Sequence, residues 1–162
     1  MDYAKPSTEA PAAVALADVV ERALAFCDHD FSRRRIEIVR DLGEQPPYVR
    51  GIAGHLIQVF VNLFVNAAQA MGDTGGQLRV ALRTRDGDVV AEVSDTGVGI
   101  EADSLARIFE PYFTTRHGDC GTGLGLAIVR DIVSAHGGSL NATSRPGKGT
   151  TFWLTLPLAT EL

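Results

Sequence analysis

Four uncharged polar residues recur along one helical stretch of the sequence. Gln58, Asn62, Asn66 and Gln69 are spaced by four, four and three residues, so in a helix they form one stripe. Apolar residues fill most other positions there, and no charged side chain occurs from 56 to 71. Carboxamide oxygens are hard, neutral ligands that suit a Mg²⁺ ion whose charge phosphates already offset. A solvated helix edge usually carries Lys and Glu, so the pattern favours a stripe that lines a cavity.

Glycines cluster in the second half of the chain, where ten of the seventeen lie between 97 and 149. Glycine permits positive φ and removes the Cβ that would block a ligand from approaching the backbone. The group from Gly121 to Gly125 precedes a predicted helix, whose free N–H groups can hold phosphate. This loop is the best phosphate-binding candidate in the sequence.

Asp95 ends a predicted strand two residues before Gly97. A carboxylate at a strand end can accept a hydrogen bond from an exocyclic amine, which adenine carries where guanine carries a carbonyl. An Asx turn over Thr96 and Gly97 explains the same residue equally well. Both interpretations remain open on this residue alone.

Other nucleotide-binding motifs fit less well. A Walker loop needs Gly-Lys followed by Ser or Thr, which the sequence lacks. The segment from Gly97 to Ala102 matches the loose dinucleotide fingerprint and follows a predicted strand. However, Asp95 would repel a pyrophosphate, and the preceding strand is half polar, whereas a parallel strand is buried on both faces.

Apolar periodicity predicts the elements that must position these residues. The strands come in adjacent pairs, which favours an α+β fold with a mixed, mostly antiparallel sheet and helices on one face. We expect residues 1–13 to be a linker, 14–159 a single domain and 160–162 a tail. Helices are predicted from Val14 to Asp28, Ala53 to Met71, Asp103 to Ile108 and Leu124 to His136, and strands from Ile36 to Arg40, Tyr48 to Arg50, Gln77 to Thr84, Asp88 to Ser94, Ser139 to Ser144 and Thr150 to Leu156.

Composition is that of an ordinary globular protein, with 162 residues of which 45% are hydrophobic and 22% charged. The formal net charge of −5 argues against nucleic acid or an anionic membrane as the main partner. Cys27 and Cys120 match neither a metal site nor a disulfide framework, so a reduced, cytoplasmic setting is expected. We expect no membrane span and no signal peptide, since no uncharged stretch is long enough and the basic start is missing.

Five segments, in order, resemble the motifs of the GHKL ATP-binding family. The segment from Phe109 to Arg116 is similar to the F box of sensor histidine kinases in particular. The other four resemble the N box (Gln58 to Ala67) and the first, second and third glycine boxes (Asp95 to Ile100, Gly121 to Leu126, Gly147 to Phe152). Together the motifs cover nearly everything from Leu56 to Pro157.

The resemblance implies the Bergerat fold, a two-layer α/β sandwich, and the ATP-binding catalytic domain of a two-component sensor histidine kinase. It implies that Asn66 ligates Mg²⁺, that Asn62 lines the phosphate site and that Asp95 receives the adenine amine. Thr150 would support a water network there, and residues 109–122 would form the ATP lid. The remaining ATP contacts that the motifs imply are Gly97, Gly99, Ile100, Phe113, Arg116, Gly121, Thr122, Gly123, Leu124 and Gly125.

Hydrolases of the wider family carry Glu near the position of Asn62, and an amide cannot act as a general base. The resemblance therefore implies phosphoryl transfer rather than hydrolysis. The four histidines (His29, His55, His117 and His136) all lack the sequence context of a phosphoacceptor. The implied partners are thus a dimerisation domain of the parent kinase, which could be membrane-anchored, and a response regulator, while the isolated domain is expected to be monomeric.

Two alternatives remain open at this stage. One is a stand-alone GHKL kinase of the anti-sigma type, which would phosphorylate Ser or Thr on a partner. The other is a nucleotide-sensing interaction module without catalysis. Two residues also depart from the expected pattern: Ile52 stands where the family often has Asp at the start of the N-box helix, and Cys120 lies in the lid, where we interpret it as incidental.

Overall fold

The computed structural model describes residues 9–45, 47–113 and 125–159 of the chain. Within these ranges the structure has four helices and seven strands. In chain order they are β1 (Ala12–Ala15), α1 (Leu16–Arg34), β2 (Ile36–Asp41), β3 (Tyr48–Gly51), α2 (Ala53–Met71), β4 (Gly76–Arg85), β5 (Asp88–Asp95), α3 (Ala102–Leu105), α4 (Gly125–Ala135), β6 (Ser139–Arg145) and β7 (Gly149–Pro157).

Five strands form the main sheet, in the order β2-β4-β5-β7-β6. Only the β2–β4 pair is parallel; the other three pairs are antiparallel, as the adjacent strand pairs predicted. The β4–β5 hairpin turns through Asp86 and Gly87, whose φ angles are +53° and +82°. Positive φ at both turn residues matches the right-handed twist of the two strands and sets their register.

The helices cover one face of this sheet, with α2 in the centre against α1, α4 and β5. Alternate residues of β5 point towards them, so Val89, Ala91 and Val93 are buried while their neighbours are half exposed. From α2, Phe60 and Phe64 are fully buried in the same core. This arrangement confirms the predicted two-layer α/β sandwich.

The other face of the sheet is polar. Arg79 on β4 donates to Glu92 on β5 at 2.7 Å and to Asp41 on β2 at 3.3 Å. In each ion pair at least one of the two side chains is a third or more exposed. Each pair therefore contributes at most about 1 kcal/mol to the stability of the fold. The open face therefore needs no second layer to be stable in water.

Three elements differ from the sequence prediction. The predicted helix from Asp103 to Ile108 is only one turn long (α3, Ala102–Leu105), and turns follow it. The first helix was predicted from Val14 to Asp28, but α1 begins at Leu16, continues to Arg34 and ends at Arg35, which has φ +61°. The extension buries Phe31, an isolated apolar residue among polar neighbours that gives too weak a periodic signal. The strand β1 was not predicted, because its Ala-rich residues have no strand pattern of their own and are ordered by antiparallel pairing with β3.

Two ionisable groups of α1 have shifted pKa values. Burial, with a smaller contribution from the charge of Asp30, raises the pKa of the Cys27 thiol to about 11. Partial burial alone would raise the pKa of Asp30, but hydrogen bonds and charges from Arg34 and Arg33 outweigh it and hold that pKa below its usual value. Cys27 is buried and its thiol stays protonated at neutral pH, so we expect it to react slowly with thiol reagents in the folded domain.

Candidate functional site

The candidate site begins at the end of β5, where Asp95 is only 5% exposed. Its Oδ1 accepts a hydrogen bond from the Gly97 N–H at 2.8 Å, which is the Asx turn that the sequence allowed. A carboxylate can accept about four hydrogen bonds, so this turn does not exclude a second acceptor role. The turn holds Asp95 in one orientation at the edge of the core.

The loop after Asp95 is fixed from both sides by backbone hydrogen bonds. The Val98 N–H donates to Ala70 O near the end of α2 at 3.0 Å, and the Gly147 N–H donates to Val98 O at 2.7 Å. The two glycines of this loop leave room for the neighbouring backbone. An added Cβ would lie 2.7 Å from Ala70 at Gly97 and 2.0 Å from Arg145 O at Gly99, which also has φ +76°.

The turn between β6 and β7 packs directly against the end of β5. A Cβ at Gly149, where φ is +103°, would lie 2.0 Å from Asp95 O. The next residue, Thr150, is 3% exposed, and its Oγ1 lies 2.8 Å from Ser144 Oγ. Two predicted site residues, Asp95 and Thr150, are thus brought together as the buried polar residues of the described core.

The polar stripe of α2 is half buried, unlike a solvated helix edge. Asn62 Nδ2 donates to Gly125 O, at the first residue of α4, over 3.3 Å. Asn66 lies one turn before Ala70, which contacts the loop after Asp95, so these two residues share a helix face. Within the described residues, Gln58 Nε2 is buried and has no hydrogen-bond partner.

This geometry arranges the site along α2. The loop that follows Asp95 contacts Ala70, Asn66 is one turn away, and Asn62 meets the start of α4 after another turn. Eight residues of helix separate Ala70 from Asn62, a rise of roughly 12 Å. The sequence predicted the stripe, but only the fold shows that Asn62 meets the start of α4 and that the loop after Asp95 meets α2 at Ala70.

The other described candidates lie around this line. Ile100 is half buried and donates its N–H to Ser144 Oγ at 2.7 Å. Gly125 opens α4, and a Cβ there would meet none of the described residues within 4 Å. The guanidinium carbon of Arg107 lies over the Phe113 ring, 4.6 Å from the centroid of that ring. Arg116, Cys120, Gly121, Thr122, Gly123 and Leu124 lie outside the described residues.

Two residues that sequence reasoning did not assign to any role hold parts of this framework. Ser144 contacts both Ile100 and Thr150. His136 accepts from the Ile52 N–H through Nε2 at 3.2 Å, and its Nδ1 lies 2.8 Å from Ile132 O. Nδ1 must therefore carry the proton and donate, which ties the end of α4 to the start of α2.

Ile52 is the N-cap residue of α2 and makes no side-chain cap, and His136 satisfies the N–H of Ile52 itself. An added Cβ at Gly51 would lie 2.5 Å from the His136 ring, so this position too is restricted to glycine. The only sign of this contact in the sequence was that Ile52 stands where the family often has Asp. Nothing in the sequence pointed to a histidine more than eighty residues away.

A separate groove of about 460 Å³ lies beside His136, between Pro11, His55 and Pro157. Thr150 and Pro157 are seven residues apart on β7, a span of roughly 23 Å. The groove therefore lies at the opposite end of the sheet from Asp95. None of the predicted site residues that the structure describes lines it.

The side chains near the site limit which metal ion it could hold. Among the described residues, no group of three or more His, Cys, Asp or Glu side chains is placed to hold a metal. A divalent cation at Asn66 would need oxygens from a ligand, and phosphates supply them. The neutral carboxamide of Asn66 fits Mg²⁺ in this setting, because it adds an oxygen without further negative charge.

A family model described as histidine kinase-, DNA gyrase B-, and HSP90-like ATPase matches residues 51–160. This chain belongs to that ATPase family. Two curated relatives of this ATPase domain are sensor kinases. Sensor histidine kinase ZraS of Escherichia coli (strain K12) is 39% identical over 158 residues, which cover 98% of this chain and 33% of ZraS. Sensor kinase CckA of Brucella abortus (strain 2308) is 44% identical over 143 residues, which cover 78% of this chain and 15% of CckA.

Solved structures of histidine kinases share the fold of this ATPase domain. The catalytic domain of histidine kinase ThkA has a TM-score of 0.82 at 25% identity. The match covers 92% of this chain and 96% of the ThkA chain. Full-length ShkA in complex with AMPPNP has a TM-score of 0.83 at 29% identity. The match covers 97% of this chain and 33% of the ShkA chain. These matches confirm an ATP-binding catalytic domain of the sensor histidine kinase class and do not favour the two alternatives.

The ATPase domain spans about a third of the length of the ZraS relatives that it matches. Across the part of the chain that the structure describes, no helix is long and apolar enough to cross a bilayer.

Proposed function

We propose that this domain binds ATP with Mg²⁺ and donates the γ-phosphoryl group to a histidine on the dimerisation domain of its parent kinase. The dimerisation domain would then pass the phosphoryl group to a response regulator. One observation carries the proposal: α2 meets the loop after Asp95 at Ala70 O and the start of α4 at the Asn62 carboxamide, and Asn66 lies one turn from each of these residues. Because ATP is the proposed donor, we place the domain in the cytoplasm.

At the base end, Asp95 would accept a hydrogen bond from the adenine amine. Gly97 and Gly99 support this role because, without Cβ atoms, the loop after Asp95 packs closely against the backbone of Ala70 and Arg145 and is held in place. Ile100 and Thr150 complete the base pocket in the proposal. Thr150 supports it through its burial and its position next to the Gly149 contact with Asp95.

At the phosphate end, Asn66 would ligate Mg²⁺, and Asn62 and Gly125 would lie beside the phosphates. When bound, Mg²⁺ supplies positive charge that neutralises the phosphate oxygens during transfer. The family motifs place Phe113, Arg116 and the loop from Gly121 to Leu124 around the same phosphates. These residues enter the proposal through the sequence resemblance.

Transfer to a separate acceptor is favoured over hydrolysis by the chemistry of Asn62. A hydrolase needs a group that takes a proton from water, and a carboxamide cannot do so. His136 is also unsuited to accept the phosphoryl group, because both of its ring nitrogens are hydrogen-bonded within the fold. An acceptor on another domain satisfies the geometry that in-line transfer requires.

Incubation with γ-labelled ATP tests the proposal directly. We expect negligible labelling of this chain alone and slow hydrolysis, but acid-labile, alkali-stable label on a separately supplied dimerisation domain from the same parent. Rapid turnover by the chain alone would instead assign it to the ATPase branch of the family. Acid-stable, alkali-labile label on the partner would assign it to the Ser/Thr kinases.

The role of Asn66 predicts a selective effect of Asn66→Ala. Loss of the metal ligand should weaken Mg²⁺-ATP binding by roughly 10- to 100-fold, the range for hydrogen bonds and ligands to charged groups. Adenosine binding should change less than about twofold, because adenosine has no phosphates to hold the metal. Titration calorimetry with both ligands measures the two effects.

Asn141→Ala is the matched control for this experiment, since Asn141 is an exposed carboxamide on β6, away from α2. It should leave both affinities unchanged. Equal losses of ATP and adenosine affinity in Asn66→Ala would show that Asn66 packs against the fold rather than holding the metal.

A further inference from the structure

The helix α4 is tied to α2 near both of its ends. Asn62 Nδ2 donates to Gly125 O, at the first residue of α4, over 3.3 Å. At the other end, the Ile52 N–H donates to Nε2 of His136, the residue that follows α4, over 3.2 Å. The eleven residues of α4 between these two contacts give a length of roughly 16 Å. Two ties that far apart fix the direction of α4 as well as its position.

The direction of α4 matters because Gly125 lies beside the phosphates in the proposed function. The free N–H groups and the positive end of the helix dipole point along the helix axis at its N-terminus. If α4 turned about the contact at Gly125, that carbonyl could stay in place while the N–H groups turned away from the phosphates. The contact at His136, at the far end of the helix, limits this rotation.

His136 can make its contact in only one protonation state. Its Nδ1 donates to Ile132 O, so the neutral ring leaves Nε2 as the acceptor for the Ile52 N–H. A protonated ring carries a hydrogen on both nitrogens, and Nε2 could then no longer accept. The ring is half-buried and lines the groove beside it, so protons from the solvent can reach it.

Other titratable or charged groups occur on the elements around His136. They are His55 on α2, Arg50 on β3, Glu9 ahead of β1, and Arg130 and Asp131 on α4. The two α4 residues pair with each other at 3.5 Å. From β7 the groove receives the apolar residues Leu156 and Pro157. The ring centroid of His55 is 6.3 Å from that of His136, so a pH experiment must separate these two histidines.

Resting on the proposed function, we propose that neutral His136 is a positioning residue for the phosphates of ATP. It fixes the direction of α4, and its protonation releases the end of that helix. The loop after Asp95 is held by Ala70 and the β6–β7 turn, so base recognition should not depend on the direction of α4. The domain therefore holds ATP more weakly in acid than at neutral pH, whereas its affinity for adenosine changes little.

Two substitutions of His136 test the contact at pH 7.5. His136→Phe keeps an aromatic ring but has no acceptor, so Mg²⁺-ATP affinity should fall by up to about fivefold, the factor for one neutral hydrogen bond. Adenosine affinity should change less than about twofold. His136→Gln has an amide oxygen that can accept from the Ile52 N–H and should restore ATP affinity. The matched control is His29→Gln, at an exposed histidine on α1. Calorimetry measures both affinities, and thermal melting verifies the fold.

A pH profile separates this role from packing. Histidine changes its charge between about pH 5 and 8, whereas an amide does not titrate there. From pH 7.5 to 5.5 the wild-type chain should lose up to about fivefold more ATP affinity than His136→Gln. The effects of pH on ATP and Mg²⁺ themselves are common to both chains and cancel in this comparison. His55→Gln should keep the pH profile of the wild type.

Three results would overturn the inference. These are a His136→Phe variant with wild-type ATP affinity, equal losses of ATP and adenosine affinity in that variant, and the same pH profile in the wild type and His136→Gln. If His136→Phe does not fold, the pH comparison decides alone. A wild type that does not bind ATP at all would instead contradict the proposed function, so the two proposals fail in distinguishable ways.

Discussion

Gly99→Ala is expected to destabilise the domain severely and to remove nucleotide binding, whereas Gly147→Ala is expected to be mild. Both glycines have nearly the same φ, +76° and +78°, so the backbone penalty for alanine is similar, about 1 to 2 kcal/mol. Their surroundings differ. A Cβ at Gly99 would lie 2.0 Å from the backbone oxygen of Arg145, whereas at Gly147 it would meet nothing within 4 Å in the part of the chain that the structure describes.

The contact at Gly99 cannot be relieved by rotating a side chain, because the atom in the way belongs to the backbone. Overpacking of this kind costs about 1 to 3 kcal/mol more, which brings the total for Gly99→Ala to about 2 to 5 kcal/mol. Relief would require the Asp95 loop to move away from the β6–β7 turn, which should reduce ATP affinity as well.

Urea unfolding and calorimetry with ATP measure the two consequences for each variant. The matched pair isolates the close packing of the loop from the conformational preference of glycine. Equal losses of unfolding free energy in the two variants would contradict the contact seen between Gly99 and Arg145.

Asp95→Asn is the second change for which we expect a large effect. The variant keeps an oxygen that can accept from the Gly97 N–H, so the Asx turn and the fold should survive. The new amide would also present N–H donors to the adenine amine, and two donors cannot pair. We expect a loss of ATP affinity of roughly 10- to 100-fold, the range for a hydrogen bond to a charged group.

Base preference gives this prediction a sharper readout. The wild-type domain should prefer ATP to GTP, because guanine carries a carbonyl where adenine carries its amine. In Asp95→Asn the preference should shrink or reverse, since an amide N–H can donate to that carbonyl. Calorimetry with both nucleotides measures it, together with thermal melting to verify the fold.

Asp88→Asn is a matched control at the other end of β5, and we expect it to leave both affinities unchanged. If the wild-type domain binds ATP and GTP with equal affinity, then Asp95 does not select the base.

Local patterns were enough to predict the elements that carry the site. The apolar run of α2 and the glycine after it predicted a helix over Ala53–Met71, and the structure has it with those bounds. The stripe of carboxamides follows from helical spacing alone. The turn at Asp86 and Gly87 predicted the β4–β5 hairpin, because those residue types tolerate positive φ.

Features that depend on distant partners were not predictable from the same patterns. The strand β1 exists because it pairs with β3, and α1 continues to Arg34 because Phe31 finds a place in the core. The link from His136 to Ile52 joins the ends of two helices. Nothing local to these residues encodes the partner.

The sequence by itself determined the family, the helices and strands that carry the site, and the residue types available for chemistry, since periodicity, turn residues and motifs are local properties of the chain. Tertiary structure decided which of these residues meet. It set Thr150 opposite Asp95 through strand register, placed Ala70 against the loop after Asp95 and Asn62 against the start of α4, and made Ser144 the neighbour of both Ile100 and Thr150. These contacts depend on the register and packing of whole elements, which the burial of the entire core selects together.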